Sequence, residues 1–377
     1  MKIRFSFGAC CLMYVLVVTS AAVGQTLNSS ARFPVYLNKK YGYINEQGQI
    51  VIKPRFDWVT SFSEGLAAVV ENSHLEYIDI SGRVVIAVPS GRVRGFSEGL
   101  AAVMFGSSYG YIDNNGNVVI KPQFEVAFDF SEGLARVKLN GKWTFIDKTG
   151  RIMFVAPFDY ADDFREGYAL VAKQFNKSNR ELAAGDIKVS YIGKNGNLMP
   201  IGWYNAASRF SGALAVVSKD TNIIAGFARG ELVMDNLDIS DPVNAFLKPV
   251  SYSFINANGQ TVFEGTYEQV QAFADHRAAV RIKGKWGYIN ELGEMIIEPQ
   301  FDSVETFSEG LAFVKLNDEG YFIDMSGQIV FRTDASLVTP FTNGLAQLLS
   351  CNASPCRSIY VDKQGRTVWQ GMLGNTN

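Results

Sequence analysis

The side chains that most often bind metals or act as nucleophiles are scarce in this sequence. It has 2 histidines and 4 cysteines among 377 residues. Neither His74 nor His276 stands at a metal-ligand spacing or in a nucleophile motif. A glycine-rich loop of the kind that cradles phosphates before a helix is also missing. The sequence therefore predicts no catalytic site, no metal site and no cofactor.

An excess of charge of one sign is missing as well. The chain has 35 Lys and Arg against 37 Asp and Glu, a formal net charge of -2. This balance excludes strong non-specific attraction to nucleic acid or to an anionic membrane. A hydrophobic content of 47% and a charged content of 19% are typical of a globular protein rather than a disordered one.

A long apolar run occurs only near the start of the sequence. Two basic residues and that run precede Ala22-Val23-Gly24, which fits a small-residue cleavage site. We therefore predict a cleaved signal peptide over 1–24 and a short linker over 25–32. The protein would be exported, to the periplasm, the cell surface or the medium, with no membrane insertion after cleavage. Lipidation at Cys10 or Cys11 is the alternative, although no leucine-led lipidation box precedes them.

Removal of that leader leaves at most two cysteines, Cys351 and Cys356, in the segment CNASPC. Turn-forming residues separate them, so in an oxidising compartment they are candidates for a small disulfide. Two free thiols are the alternative. Metal binding is not expected, because no histidine lies nearby to complete a tetrahedral site.

What the sequence does contain is a repeat. A turn glycine ends an Asn/Asp-x-x-Gly pattern, and a phenylalanine opens a Phe-Ser-Glu-Gly-Leu pattern, with a basic period of 34 residues. The distance from each glycine to the next marker phenylalanine is 14 residues in all eight copies. The markers are Gly48, Gly82, Gly116, Gly150, Gly196, Gly259, Gly293, Gly327 and Gly365, and Phe62, Phe96, Phe130, Phe164, Phe210, Phe273, Phe307 and Phe341.

One unit, residues 285–314, shows the expected local structure. Trp286 and Tyr288 alternate with Gly287 and Ile289, which predicts a strand with two distinct faces. A hairpin turn follows, and we expect Pro299 to end the return strand, because proline cannot donate to a central ladder. A third short extended piece then presents the core candidates Phe301, Val304 and Phe307. Such a unit cannot bury its aromatic face alone, so neighbouring units must stack.

The recurring segments KYGYI (40–44), KWTFI (142–146) and KWGYI (285–289), each followed by a form of the Phe-Ser-Glu-Gly-Leu pattern, resemble those of bacterial WG-repeat (KWG-repeat) proteins. The resemblance covers 33–369 and implies one all-β domain of about eight to nine units, used as a binding or scaffold module. Residues 370–377 would be a tail.

We favour an open, β-solenoid-like stack of β-hairpin repeats over a closed eight-bladed β-propeller. Propeller blades usually need about 40–45 residues, and no segment is left over to complete a first blade.

Three insertions interrupt the spacing, within 173–190, 218–252 and 349–357. Each lies between the Leu-Ala strand and the aromatic strand, so all three should emerge on one edge, where repeat proteins often bind ligands. The repeats beside the second insertion also break the pattern, through drift or through function. The binding candidates there are Trp203, Tyr204, Arg209, His276 and Arg277.

The resulting prediction is an exported, non-catalytic repeat protein that binds a protein or a cell-envelope glycan through this edge. An enzyme with its site in the 218–252 insertion is the alternative. The glutamates of the Ser-Glu-Gly turns recur in most units, so we expect them to serve the turn or to form a solvated column rather than a catalytic pair.

Overall fold

The computed structural model describes residues 31–88, 91–175, 187–220, 226–228, 231–233, 249–351 and 356–372, and within these ranges the regular structure is β-strand. The predicted signal peptide and most of the predicted linker lie outside them. No helix in the described ranges is long and apolar enough to cross a bilayer.

The strands form nine antiparallel sheets that follow one another along the chain. We call these sheets blades 1 to 9, and the four strands of a complete blade a, b, c and d in chain order. Blade 1 is β1 Phe33–Leu37, β2 Lys40–Ile44 and β3 Ile50–Phe56; blade 2 is β4 Trp58–Val59, β5 Leu66–Glu71, β6 His74–Asp79 and β7 Val84–Val88; blade 3 is β8 Leu100–Phe105, β9 Ser108–Asp113 and β10 Val118–Phe124.

The next three blades contain the longer insertions. Blade 4 is β11 Val126–Ala127, β12 Leu134–Leu139, β13 Lys142–Asp147 and β14 Ile152–Val155; blade 5 is β15 Tyr160–Ala161, β16 Tyr168–Gln174 and β17 Ile187–Gly193; blade 6 is β18 Ala206–Ala207, β19 Leu214–Ser218, β22 Val250–Asn256 and β23 Thr261–Tyr267, with the separate hairpin β20 Gly226–Ala228 and β21 Glu231–Val233 inside its b–c connection.

The last three blades are complete. Blade 7 is β24 Gln269–Val270, β25 Ala278–Ile282, β26 Lys285–Ile289 and β27 Met295–Phe301; blade 8 is β28 Ser303–Val304, β29 Leu311–Leu316, β30 Glu319–Asp324 and β31 Ile329–Thr333; blade 9 is β32 Leu337–Val338, β33 Leu345–Ser350, β34 Arg357–Asp362 and β35 Thr367–Met372.

The first and last blades touch, so the nine blades close into a ring. The ring centroids of Phe33 and Tyr360 are 5.6 Å apart, and one buried cluster contains residues of both blades. The Tyr360 hydroxyl donates to the carbonyl of Pro34 at 2.9 Å. In blade 2 the carbonyl at the position of Pro34 is that of Ala68. It accepts a hydrogen bond from the backbone N–H of Thr60, the residue after strand a. Among the described residues, proline at an edge position and the tyrosine hydroxyl thus satisfy the edge of blade 1, without a strand shared between the first and last blades.

The protein is a nine-bladed β-propeller. The open, solenoid-like stack favoured by the sequence is therefore wrong. The closed alternative predicted eight blades, whereas the structure has nine. The length argument failed because the blade is unusually compact: strand a has two residues, and the single residue Asp57 joins strand d of blade 1 to strand a of blade 2.

Two-residue turns of the hairpin-favouring type keep each blade short. In the a–b turn of blade 2, Glu64 and Gly65 both have positive φ, 51° and 79°, and Ser63 and Leu66 exchange both backbone hydrogen bonds. Positive φ at both central residues defines the type I′ turn, whose twist matches that of paired strands.

The expectation that Pro299 ends its strand is wrong, because β27 runs through the proline to Phe301. The pairing shifts around it instead: Trp286 pairs with Phe301 and Tyr288 with Ile297, so Gly287 faces a bulge that contains Pro299. An added Cβ on Gly287 would lie 2.8 Å from Pro299 N and 2.9 Å from the carbonyl carbon of Glu298. The glycine of the WG pair therefore makes room for backbone. The same shift occurs at Gly42 and Gly110.

The core lies between blades. Phe301, Val304 and Phe307 are buried, as predicted, in a cluster with residues of blades 7 and 8. Tyrosines of strand c also fasten successive blades: Tyr111 donates to the carbonyl of Phe128 at 2.7 Å. Equivalent bonds of 2.6–2.8 Å are made by Tyr43, Tyr77, Tyr191 and Tyr288.

The antiparallel order gives the ring two faces. The turn face has the a–b and c–d turns, and the loop face has the b–c connections and the d–a links. The segments 175–187, 219–249 and 351–356 all join strand b to strand c, in blades 5, 6 and 9. All three therefore belong to the loop face. Cys351 and Cys356 in the last of them are joined by a disulfide bond.

Candidate functional site

The five binding candidates from the sequence do not form one site. Trp203 and Tyr204 precede strand a of blade 6, on the loop face, whereas His276 and Arg277 lie in the a–b turn of blade 7, on the turn face. Arg209 follows the same strand a that Trp203 and Tyr204 precede. These residues are therefore described separately below.

The glutamates of the a–b turns link neighbouring blades. Glu64 accepts from Gly99 N–H at 2.9 Å and Glu132 from Gly167 N–H at 2.9 Å, each across one blade boundary. Serine in the same turn does likewise: Ser97 Oγ donates to Phe130 O at 2.6 Å. Because each turn reaches only the next turn, these bonds form a chain around the turn face. The recurring carboxylates thus serve the turns, one of the two alternatives from the sequence.

His276 lies beside the a–b turn in which the carboxylate of this chain is lost. Gly212 occupies the glutamate position in blade 6. The carboxylate of Glu291, from the c–d turn of blade 7, lies 3.0 Å from where a Gly212 Cβ would be, and 2.9 Å from His276 Nδ1. In blade 4 the residue at the position of Glu291 is Lys148, which binds the normal carboxylate. The carboxylate at this boundary thus comes from the c–d turn of blade 7, and His276 has a structural partner.

Arg277 and Arg209 also have structural partners. Arg277 donates to the carbonyls of His276 and Met325, at 3.0 and 3.3 Å. Arg209 forms an ion pair with the buried carboxylate of Asp162 in blade 5. The geometry of these two arginines thus assigns them to blade boundaries.

Asp162 belongs to a buried network that sequence reasoning missed. Arg136 is 4% exposed; its Nε lies 2.7 Å from Asp163 Oδ1 and its guanidinium 3.5 Å above the ring of Phe128. The tyrosine of strand c is replaced by phenylalanine in this blade, so the arginine and two aspartates tie blades 4 and 5 where no tyrosine bond exists. The sequence signal was an arginine in the otherwise apolar Leu-Ala strand.

Tyr204, a binding candidate from the sequence, is buried. It occupies the position of Phe56 in blade 1, the phenylalanine of the Pro-x-Phe pattern, and is buried in the same way. Its ring packs among residues of blades 5 and 6. Trp203, one residue earlier, is only partly buried.

Trp203 forms an aromatic cluster on the loop face with Phe158 and Phe175. Its ring centroid is 6.0 Å from that of Phe158 and 5.4 Å from that of Phe175, both edge to face. Phe175 is 54% exposed and begins the first insertion. We call these three side chains the aromatic platform.

The repeat itself shows that the platform is unusual. The position of Trp203 is occupied by Arg55, Gln123 and Gln300 in units that follow the pattern closely. These residues are polar, as expected beside a loop. A tryptophan at this position instead packs edge to face against two further aromatic rings, which gives the loop face an apolar, partly exposed surface at blades 5 and 6.

In the part of the chain that the structure describes, no group of three or more His, Cys, Asp or Glu side chains is placed to hold a metal ion. The second insertion, the site of the enzymatic alternative, lies mostly outside the described residues; of its central part, only the strands 226–228 and 231–233 are described.

A family model described as WG containing repeat matches residues 41–73, 77–107, 109–143, 143–174, 252–286 and 286–319, more than half of the chain. No curated protein matches the sequence.

Among solved structures, a eukaryotic initiation factor is 12% identical over 91% of this chain and 96% of its own, with a TM-score of 0.59. AztD from Citrobacter koseri is 10% identical over 90% and 93%, with a TM-score of 0.40. Hsv2p from Kluyveromyces lactis is 9% identical over 84% and 97%, with a TM-score of 0.36. At these identities the similarity concerns the fold alone, and only the first of the three carries an argument for it.

Proposed function

The chain belongs to the WG-repeat family, and from that premise we propose that it is an exported, non-catalytic binding module whose loop face takes up a protein or a cell-envelope glycan. The aromatic platform is the observation that carries this proposal. Aromatic side chains that are partly exposed at the rim of a cavity or loop commonly anchor ligands, because they offer a large apolar area at a low entropic cost.

The position of the insertions supports the same face. Three of the nine b–c connections are lengthened, and the first of them starts at Phe175. Rigid scaffolds commonly place binding residues on loops at one end of their sheets. The nine blades supply the scaffold here, and Arg136 with Asp162 and Asp163 joins blades 4 and 5, the boundary at which Phe158 lies.

Export is part of the proposal. The N-terminal pattern of the sequence supports it, and so does the disulfide bond between Cys351 and Cys356, because disulfides persist mainly in oxidising compartments. Cell fractionation of the full chain, with N-terminal sequencing of the product, tests this point. We expect cleavage after Gly24; full-length protein in the cytoplasm would contradict export.

The binding experiment uses the exported protein with its native envelope fraction, separated into glycan and protein. We expect Phe175→Ala and Trp203→Ala each to weaken binding about tenfold or more. Trp58→Ala is the matched control, since Trp58 is 45% exposed in blade 2, away from the platform. Circular dichroism must show that each variant keeps its fold. Wild-type binding by both platform variants would exclude this surface.

The same samples test the absence of catalysis. We expect the bound polymer to be recovered unchanged after long incubation. A product that accumulates with time and protein concentration would instead favour the enzymatic alternative, with a site at the second insertion.

A further inference from the structure

We propose that the ligand of the aromatic platform is an acidic glycan, whose sugar rings stack on the platform and whose anionic groups bind the lysines beside it. This rests on the function proposed above and narrows it. The supporting observation is a lysine that has a carboxylate partner in blades 1 and 7 and has none here.

In blades 1 and 7 the first lysine of the repeat has a carboxylate partner on the loop face. Lys40 of blade 1 pairs with Asp57, at the start of blade 2. Lys285 of blade 7 pairs with Asp302 in the same way. These ion pairs recur because the lysine opens strand c and the aspartate links strand d to the next strand a.

In blade 5 the lysine is kept and the carboxylate is not. Lys188 opens strand c, and the residue at the aspartate position is Asn205, whose amide oxygen accepts a hydrogen bond from the ammonium group. The hydrogen bond remains while the negative charge is gone. Asn205 is two residues from Trp203, so the uncompensated charge lies next to the platform.

A second lysine increases this positive charge. Lys173 pairs directly across the strands with Lys188. The corresponding residues in other blades are apolar, Leu37 opposite Lys40 and Ile282 opposite Lys285. Like charges directly opposite one another destabilise a sheet. Two opposed lysines beside an exposed aromatic cluster therefore indicate a site for an anion rather than an arrangement for stability.

The other charged groups close to the platform are Lys219 and two aspartates, Asp159 and Asp220. Lys173 Nζ lies 5.6 Å from the Phe175 ring centre, and Lys219 Nζ lies 5.6 Å from that of Tyr204. The acidic neighbours accept backbone N–H bonds: Asp159 from Gln174, and Asp220 from Ser251. No ion pair joins any of these three lysines to a carboxylate among the described residues.

The size of the platform favours a glycan over a protein. A stable protein interface buries about 800 Å² on each partner, whereas the platform consists of three rings. An extended chain of sugars needs only such a narrow contact: its C–H faces stack on the electron-rich ring faces, and its carboxylates or phosphates reach the lysines.

The test restores the missing carboxylate with Asn205→Asp, which recreates the pair formed by Lys40 and Asp57. The probes are polygalacturonate, a neutral glucan and poly-glutamate, each titrated at low and high salt. We expect wild type to prefer polygalacturonate, and Asn205→Asp to weaken that binding about tenfold. Asp302→Asn is the matched control, since it alters the same pair in blade 7, and it should bind like wild type.

Lys173→Leu provides a second readout. It places leucine opposite lysine, as in blade 1, so we expect stability to be kept or raised while polygalacturonate binding falls. A structural role for Lys173 would instead reduce both.

Each other outcome rejects the acidic glycan. If the neutral glucan binds with equal affinity and Asn205→Asp has no effect, charge plays no role in binding. If poly-glutamate is preferred, the ligand is an acidic protein. Failure to bind any probe also rejects it. The proposed function fails separately, if Trp203→Ala leaves binding to the preferred ligand unchanged.

Discussion

The WG glycine allows a quantitative test of the fold. We expect Gly287→Ala to destabilise the protein by about 3 kcal/mol or more, because the new methyl group meets backbone rather than a movable side chain. Its Cβ would lie 2.8 Å from Pro299 N and 2.9 Å from the Glu298 carbonyl carbon. Strand d can relieve this contact only by losing the bulge, which would break the pairing of Trp286 with Phe301.

Gly284→Ala is the matched control, three residues earlier. Gly284 has a φ of 77°, and an added Cβ there meets nothing within 4 Å. Its cost is therefore backbone strain alone, about 1–2 kcal/mol. Urea denaturation followed by tryptophan fluorescence compares the two variants. A smaller loss for Gly287→Ala than for Gly284→Ala would refute the role assigned to the WG glycine.

Two further predictions concern blade boundaries and turns. Tyr111→Phe should cost about 0.5–1.5 kcal/mol, the net value of one hydrogen bond, and a midpoint equal to wild type would show that the hydroxyl contributes nothing. Acid should weaken the c–d turns. The hydrogen bond from the Thr149 hydroxyl lowers the pKa of Asp147 to about 2; backbone N–H bonds add to this effect, and desolvation of the carboxylate opposes it. A carboxylate whose pKa is lower in the folded protein stabilises the fold fully at pH values above its unfolded pKa, about 3.9. This stabilisation is lost as the pH falls from there towards 2. Melting temperature measured from pH 5 to 2 should therefore fall less in Asp147→Asn, which copies the natural Asn290 turn, and an equal fall would contradict the assignment.

The sequence predicted the local structure of each unit well, because turn chemistry and alternation are local. The glycine and phenylalanine markers located the turns, and the core candidates of 301–307 are buried. The closure of the nine blades into a ring could not be predicted from the sequence in the same way. It depends on the angle between blades and on contacts such as Tyr360 with Pro34, 326 residues apart.

The candidate site was predicted only in part. Trp203 was found because it interrupts a regular pattern, whereas Tyr204 was misjudged because its alignment with Phe56 was not used. His276 deviates for a structural reason that appears only when Glu291 is seen beside Gly212, and Arg277 deviates because it donates to the carbonyl of Met325. The change from Asp57 to Asn205 was visible in the aligned units, but its meaning required the pairing of Lys40 with Asp57.

The contact between blades 9 and 1 has a consequence for circular permutation of the chain. In the part of the chain that the structure describes, no strand is shared between the first and last blades, which meet through packed side faces and one tyrosine hydroxyl. The boundaries after blades 1, 2, 3, 5 and 7 contain a tyrosine bond of the same kind, so the contact between blades 9 and 1 is built like most of the others. New ends opened at a two-residue turn, with the old ends joined by a short linker, should give a circularly permuted chain that refolds into the same ring.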